Sequence, residues 1–393
     1  MDNSTSRQRL LKTLSLQDTD HIPCCFMSFT ALRKRCNENM YELAKAELAM
    51  GLDAMLFIPV APRPKRLNHP DLRGLPVRHH PDVIVEEWRE KVLNGFDILH
   101  KKYTTPGGIL TTDVSLTEDW PHGDHIPFVD DYQIPRAIKP LITKPEELEA
   151  LQYLLIPPQK EDIIQFSQQA KEAIQFIEEQ GIILAGGWGI GLDMACWLCG
   201  IQNVTLLSMD QPEFLTNLLD MIHAWNVKRM QVVLSEPVDL FIKRAWYEGC
   251  DFITPQFYRQ AILPRLKVEV DLAHQRGAKF GYICTSGTKP MLDFYLEAGI
   301  DVLIGIDPIQ GTYTDMALLK NKLGQRICLW GGVSGAITVE MGTEEQVRMA
   351  VGEAIKTMGP TGFILSPVDN ITVDAPHTWH NIEIFKSEWH KHW

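Results

Sequence analysis

The chain has 393 residues, 45% of them hydrophobic and 22% charged, which excludes disorder or a coiled coil as its main architecture. Its formal net charge of −12 argues against a nucleic-acid or anionic-membrane surface. Eight irregularly spaced cysteines are no disulfide scaffold, and no run reaches the ~18 apolar residues of a membrane span. The N-terminal residues lack the apolar stretch of a secretory signal, so a cytoplasmic location is expected.

In chain order, short apolar runs predict buried strands at residues 22–27, 54–59 and 182–185, then at 238–242, 279–284, 302–306, 327–330 and 363–365. Helical patterns at 264–274, 290–298, 315–323 and 344–358 alternate with the later runs. Apolar runs alternating with 10–15-residue helices mean βαβ units and a parallel sheet. Eight such runs give the count of an α/β (β/α)8 TIM barrel, one domain over residues 1–393. Partial alternation around the Pro-Gly-Gly turn at 106–108 predicts a β-hairpin insertion after the second strand, at about 80–120.

In such a barrel the carboxyl ends of the strands carry the chemistry. The loop after the fourth run, Arg244-Ala-Trp-Tyr-Glu248-Gly-Cys-Asp251, offers an arginine, two aromatics and two carboxylates. Glu248 and Asp251 are candidates for general acid–base work, and Glu248 also for a metal; the structural alternative is that Asp251 caps the next segment and Arg244 forms an ion pair. Asp307 ends the sixth run, and Asp369-Asn370 the eighth; each is also a good turn residue. Tyr282 and Cys284 follow the fifth run, and Cys284 reads either as a reactive thiolate or as a buried inert thiol. Trp330, and Trp188 within Gly186-Gly-Trp-Gly-Ile-Gly191, could stack on a flat ligand. That glycine run does not fit G-x-G-x-x-G and reads as close backbone approach. Cys196-x-x-Cys199 reads as an apolar helix face, and the pairs His122/His125 and His377/His380 read as surface histidines. Arg63-Pro-Lys-Arg66 reads equally as an anion contact or a solvated turn.

Across nearly its whole length the chain resembles the uroporphyrinogen decarboxylase superfamily, which includes corrinoid-dependent methyltransferases. The resemblance lies in Arg9-Leu-Leu…Asp20-His-Ile-Pro, Leu52-Asp-Ala-Met-Leu-Phe and Ser235-Glu-Pro-Val-Asp-Leu, and in Tyr258-Arg-Gln-Ala-Ile-Leu-Pro264. It continues in Gly299-Ile-Asp-Val-Leu through Asp307-Pro, Leu329-Trp-Gly-Gly-Val-Ser and Gly362-Phe-Ile-Leu-Ser…Asp369-Asn. It implies a barrel with a wide cleft. Where the decarboxylases carry Met-Arg-Gln-Ala-Gly-Arg-Tyr, this chain has Met27-Ser-Phe-Thr-Ala-Leu-Arg; Pro59 stands where they place an aspartate, and Val368-Asp369-Asn370 replaces Gly-His-Gly. The thiol-methylating branch holds zinc with a His-x-Cys pair and a later Cys; here those positions read Tyr282-Ile-Cys284 and Ser366-Pro-Val368, an incomplete set.

The resemblance thus implies methyl transfer between a small substrate and a corrinoid (methylcobalamin) carried on a partner protein, with zinc in question. A decarboxylase of a carboxylated substrate and a non-catalytic tetrapyrrole binder are the alternatives. Glu248, Asp251, Asp307 and Asp369 are the catalytic candidates. Arg244, Trp246, Tyr247, Tyr282, Trp330, Asn370 and Trp188 are the binding candidates, and Glu248 and Cys284 the metal candidates. Glu248, Cys284, Asp307 and Asp369 are expected to converge on one cleft. A homodimer is compatible with the sequence.

Overall fold

The structure is a computed structural model that describes residues 4–60, 78–128, 130–312 and 314–393. Seven strands form one all-parallel sheet: β1 (Met55–Ile58), β6 (Ile183–Ile190), β7 (Leu240–Arg244), β8 (Lys279–Ile283), β9 (Val302–Ile306), β10 (Cys328–Ser334) and β11 (Phe363–Val368), paired in that order. The intervening β2 (Ile84–Glu90), β3 (Ile98–Thr105), β4 (Gly108–Ser115) and β5 (Ala137–Lys139) form a separate antiparallel sheet.

The parallel strands are apolar on both faces, as strands covered by helices must be. Their inner side chains, among them Ile183, Ala185, Leu240, Ile242, Ile283, Val302, Ile304, Cys328, Trp330 and Ile364, form one cluster. Helix Ser6–Leu14, started by a Thr5/Gln8 capping box, adds Leu10 and Leu14 to that cluster. It is tied to the strands' amino ends by Arg7, whose guanidinium lies 2.8 Å from Asp239 just before β7. Leu, Ile and Phe side chains buried in this way contribute about 1.5–3 kcal/mol each.

The sheet curls, and residues 24–25 link its two edges. Cys25 N donates to Leu365 O (3.1 Å), Leu365 N to Pro23 O (2.9 Å), and Asp53 N to Cys24 O (2.8 Å). The strand expected at 22–27 is therefore reduced to two isolated bridges, because Pro23 has no N–H to give a ladder. The architecture is α/β and TIM-barrel-like, with seven full strands among the described residues.

The hairpin expectation also needs correcting. The Pro-Gly-Gly turn joins β3 and β4, with Thr105 opposite Gly108. The sheet has four strands rather than two and runs to Lys139, beyond the expected boundary near 120. β2 was part of the expected pattern and is exposed along its whole length.

Candidate active site

At the carboxyl ends of the parallel strands lies a cavity of about 440 Å³. Ile242, Ile283, Ile304 and Trp330 form its floor; Met27, Met55, Phe57, Trp246, Tyr247 and Phe252 contribute its apolar walls; Asp131, Arg244, Thr285, Ser286, Asp369 and Asn370 supply polar groups. Trp330 is held by its indole N–H, which donates to Cys25 O (2.9 Å).

The period-2 alternation of strand side chains decides what reaches this cavity. In β7, Leu240 and Ile242 point inward, so Arg244 arrives on the same side and enters the cavity. Its guanidinium donates to Asp193 (2.7 Å) and to Asp131, and its central carbon stands 5.0 Å from the Trp197 ring centre and 5.4 Å from that of Trp246. Asp193 is fully buried and also accepts from the backbone N–H of Trp246 (3.1 Å) and Tyr247 (2.9 Å). Burial pushes its carboxyl up to about 6, against the opposing pull of Arg244. Trp197 Nε1–H donates to Asp131 (2.8 Å). The lone arginine of the cavity, among the described residues, is therefore clamped between two carboxylates.

The outward face of β7 carries Lys243, fully buried and paired with Glu269 (2.8 Å), with Glu248 at 3.6 Å. Burial alone would push the Lys243 ammonium down, but the two carboxylates raise it overall. Glu248 belongs to this outer layer. It is wholly buried, accepting from Leu192 N (3.0 Å) and the Tyr282 hydroxyl. A Cβ at Gly191 would stand 2.3 Å from its Oε1 and one at Gly186 would stand 2.7 Å from Phe241, so the glycine run serves close packing, as its sequence suggested.

The expected convergence of four residues is met by Asp369 alone. Glu248 is turned away beneath Gly191. Asp307 is buried, and its Oδ1 accepts from Ile309 N (2.8 Å) and Gln310 N (2.9 Å), the turn role. Because Ile283 points inward, parity sends Tyr282 and Cys284 outward; both are buried and neither lines the cavity. The Cys284 thiol is pushed up to about 12, chiefly by burial, which makes it unreactive as a free thiol. Asp251 is exposed outside the cavity. Trp188 sits in β6, its side chain outside the described residues, as is the Arg63–Arg66 cluster.

Asp369 is exposed to the cavity and adopts φ 70°, the left-handed region that Asp tolerates at some strain. Burial of its surroundings, with Asp131, Asp307 and Glu340 adding negative charge, raises its carboxyl against the opposing effect of Arg244. Asn370 accepts from Thr30 N (3.0 Å) and donates to Thr30 Oγ1 (2.9 Å), pinning this corner. Sequence reasoning placed Arg244, Trp246, Tyr247, Trp330, Asp369 and Asn370 in the site. It missed Asp131, Asp193 and Lys243; a lysine inside the apolar Leu240–Arg244 strand was a usable signal, since buried charges need partners.

Among the described residues no group of three or more His, Cys, Asp and Glu side chains has metal-holding geometry. His125 meets Glu87 (3.0 Å) and His122 lies 3.4 Å from Asp130, both beside the antiparallel sheet. His377 contacts the Gly342 carbonyl (3.0 Å), and His380 is exposed. Cys196 and Cys199 are free, buried thiols. No described helix is long and apolar enough to cross a membrane.

A model of the family described as uroporphyrinogen decarboxylase (URO-D) matches residues 98–392. Among solved structures, a methyltransferase from Methanosarcina mazei is similar over 99% of both chains, with 17% identity and a TM-score of 0.59. A B12-independent methionine synthase from Shewanella sp. W3-18-1 aligns over 56% of this chain and 65% of its own, with 11% identity and a TM-score of 0.43. No curated protein sequence matches the chain.

Proposed function

We propose, from the premise that this chain belongs to the uroporphyrinogen decarboxylase (URO-D) family, that it is a methyltransferase acting between a small substrate and a corrinoid held by a partner protein. The observation that carries the reading is the cavity. Its volume of about 440 Å³ falls at the small-ligand end of the usual range. Its one described arginine is already neutralised by Asp131 and Asp193. A polycarboxylated tetrapyrrole needs several free cationic anchors, and the described walls offer none.

A corrinoid supplies a two-electron centre that accepts or releases a methyl group. Ile309, Ile337, Met341 and Val373 are exposed on the segments following β9, β10 and β11, among polar residues such as Gln310, Thr312 and Thr372, and are the apolar contacts these segments offer a docked carrier. The chain's own residues bind and orient the substrate: Trp330 and Ile304 below, Trp246, Tyr247 and Phe252 beside it, and Asp369 as the catalytic candidate that faces the cavity. Zinc fits poorly, because Cys284 does not line the cavity and Tyr282 and Ser366-Pro-Val368 stand where the other two ligands would be; no step is assigned to it.

The test is an ultraviolet–visible titration of the purified protein with methylcobalamin and small amine or thiol acceptors. Protein-dependent loss of the methyl-corrinoid spectrum supports the reading; an unchanged spectrum with every acceptor refutes it.

A further inference from the structure

We propose that the methyl-bearing substrate is a small organic cation, an ammonium carrying one or more methyl groups, bound in the cavity between aromatic rings and carboxylates. The inference rests on the methyl-transfer reading above and names its substrate class.

Two observations carry it. The first is charge. One guanidinium, Arg244, faces three carboxylates: Asp131 and Asp369 in the cavity wall and Asp193 directly behind Arg244. No described lysine or histidine lines the cavity. Arg244 is held by Asp131 and Asp193, which leaves Asp369 as the carboxylate of the wall without an ion-pair partner among the described residues. Asp131, Asp307 and Glu340 add negative charge around it against the opposing effect of Arg244. Such a field attracts a cation and repels an anion, and low-dielectric walls strengthen the effect.

The second is the wall itself. Tyr247, Phe252, Trp246 and Trp330 line the same space, and aromatic faces carry the negative potential that binds alkylammonium groups. Tyr247 and Phe252 meet edge to face, with ring centres 5.2 Å apart, which fixes their relative orientation. The remaining contacts, from Met27, Met55, Ile242, Ile283 and Ile304, are apolar and suit methyl groups.

The chemistry agrees. When a methyl group leaves an ammonium nitrogen for a two-electron nucleophile of the reduced-corrinoid class, the C–N bond breaks and its electron pair stays on nitrogen. The leaving group is a neutral amine. No proton has to be delivered to it, so Asp369 need only hold the positive charge of the bound substrate.

The experiment is binding to the full chain by calorimetry and tryptophan fluorescence, with three probes of similar shape: choline, its neutral carbon isostere 3,3-dimethylbutan-1-ol, and the anion pivalate. Saturable choline binding, at least ~10-fold tighter than the isostere, with no pivalate binding, is the expected result. Asp369→Asn should weaken choline several-fold and leave the isostere unchanged. Equal affinity for choline and the isostere, or tighter pivalate binding, overturns the proposal, and the wild-type comparison decides this even where the variant fails to fold. Choline binding with no methyl transfer to a corrinoid from choline or from neutral ether and thioether donors would keep the cation site and overturn the methyltransferase reading. Methyl transfer from neutral ethers without choline binding would do the reverse.

Discussion

Replacing Arg244 with methionine keeps an unbranched apolar stem and removes the charge that faces Asp193. Asp193 is fully buried, lies 2.7 Å from the Arg244 guanidinium, and keeps its two backbone N–H donors in the variant. Breaking one side of a buried ion pair costs about 3–5 kcal/mol. Part of that cost depends on pH, and its sign follows from the carboxyl. Asp193 has a folded pKa of about 6 against an ordinary 3.8, so the stability linked to its protonated form is complete below about pH 4 and lost as pH rises through about 6. Arg244 is the group that opposes this upward shift; without it the folded value rises further and the loss continues at higher pH, at about 1.4 kcal/mol per pH unit. At pH 5 Asp193 is mostly neutral in both proteins, so the variant should lose only about 1 kcal/mol, for the missing hydrogen bonds. At pH 8 the full 3–5 kcal/mol should appear. Urea unfolding at the two pH values, followed by tryptophan fluorescence, measures the difference, and adding Asp193→Asn to the variant should abolish it. An equal loss at pH 5 and pH 8 would refute the reasoning.

Glu248→Gln keeps the carbonyl that accepts from Leu192 N and removes a charge near Lys243; once a substrate is known it should lower the melting temperature while turnover falls less than ~10-fold, below the range of a lost acid–base group. Cys284 should resist iodoacetamide at pH 8 in the native protein and react after denaturation, as mass spectrometry would show, because its thiol is buried and pushed up to about 12; rapid native labelling would contradict its placement. Uroporphyrinogen should give no coproporphyrinogen above background by chromatography, since Pro59 replaces the family aspartate and the described cavity has no free cationic anchor.

The positions of seven strands were readable because strands covered on both faces must be continuous apolar runs, and residues 302–306 were located to the residue. The first run misled because Pro23 interrupts the ladder that its apolar neighbours suggest. The insertion was underestimated because β5 has only three residues and leaves almost no pattern. In the site, Arg244 and Asp369 were legible from their places at strand ends. Tyr282 and Cys284 were misassigned because a strand buried on both faces does not show in its sequence which face is inward, and the structure turns Ile283 inward instead. Glu248 could not be placed from its loop, because its orientation depends on Gly191, which follows β6, and on Lys243 on the outward face of β7. Asp131 arrives from the segment between β4 and β5, and nothing local marks it.

The central claim is methyl transfer in this cavity, and time-resolved absorbance of cob(I)alamin mixed with the protein and choline tests it most directly. The expected result is a protein-dependent shift to the methylated corrinoid spectrum, at least ~100-fold faster than without protein, and slowed by Asp369→Asn. A spectrum that evolves no faster with the protein than without it, for choline and for neutral ether and thioether donors alike, would contradict the claim.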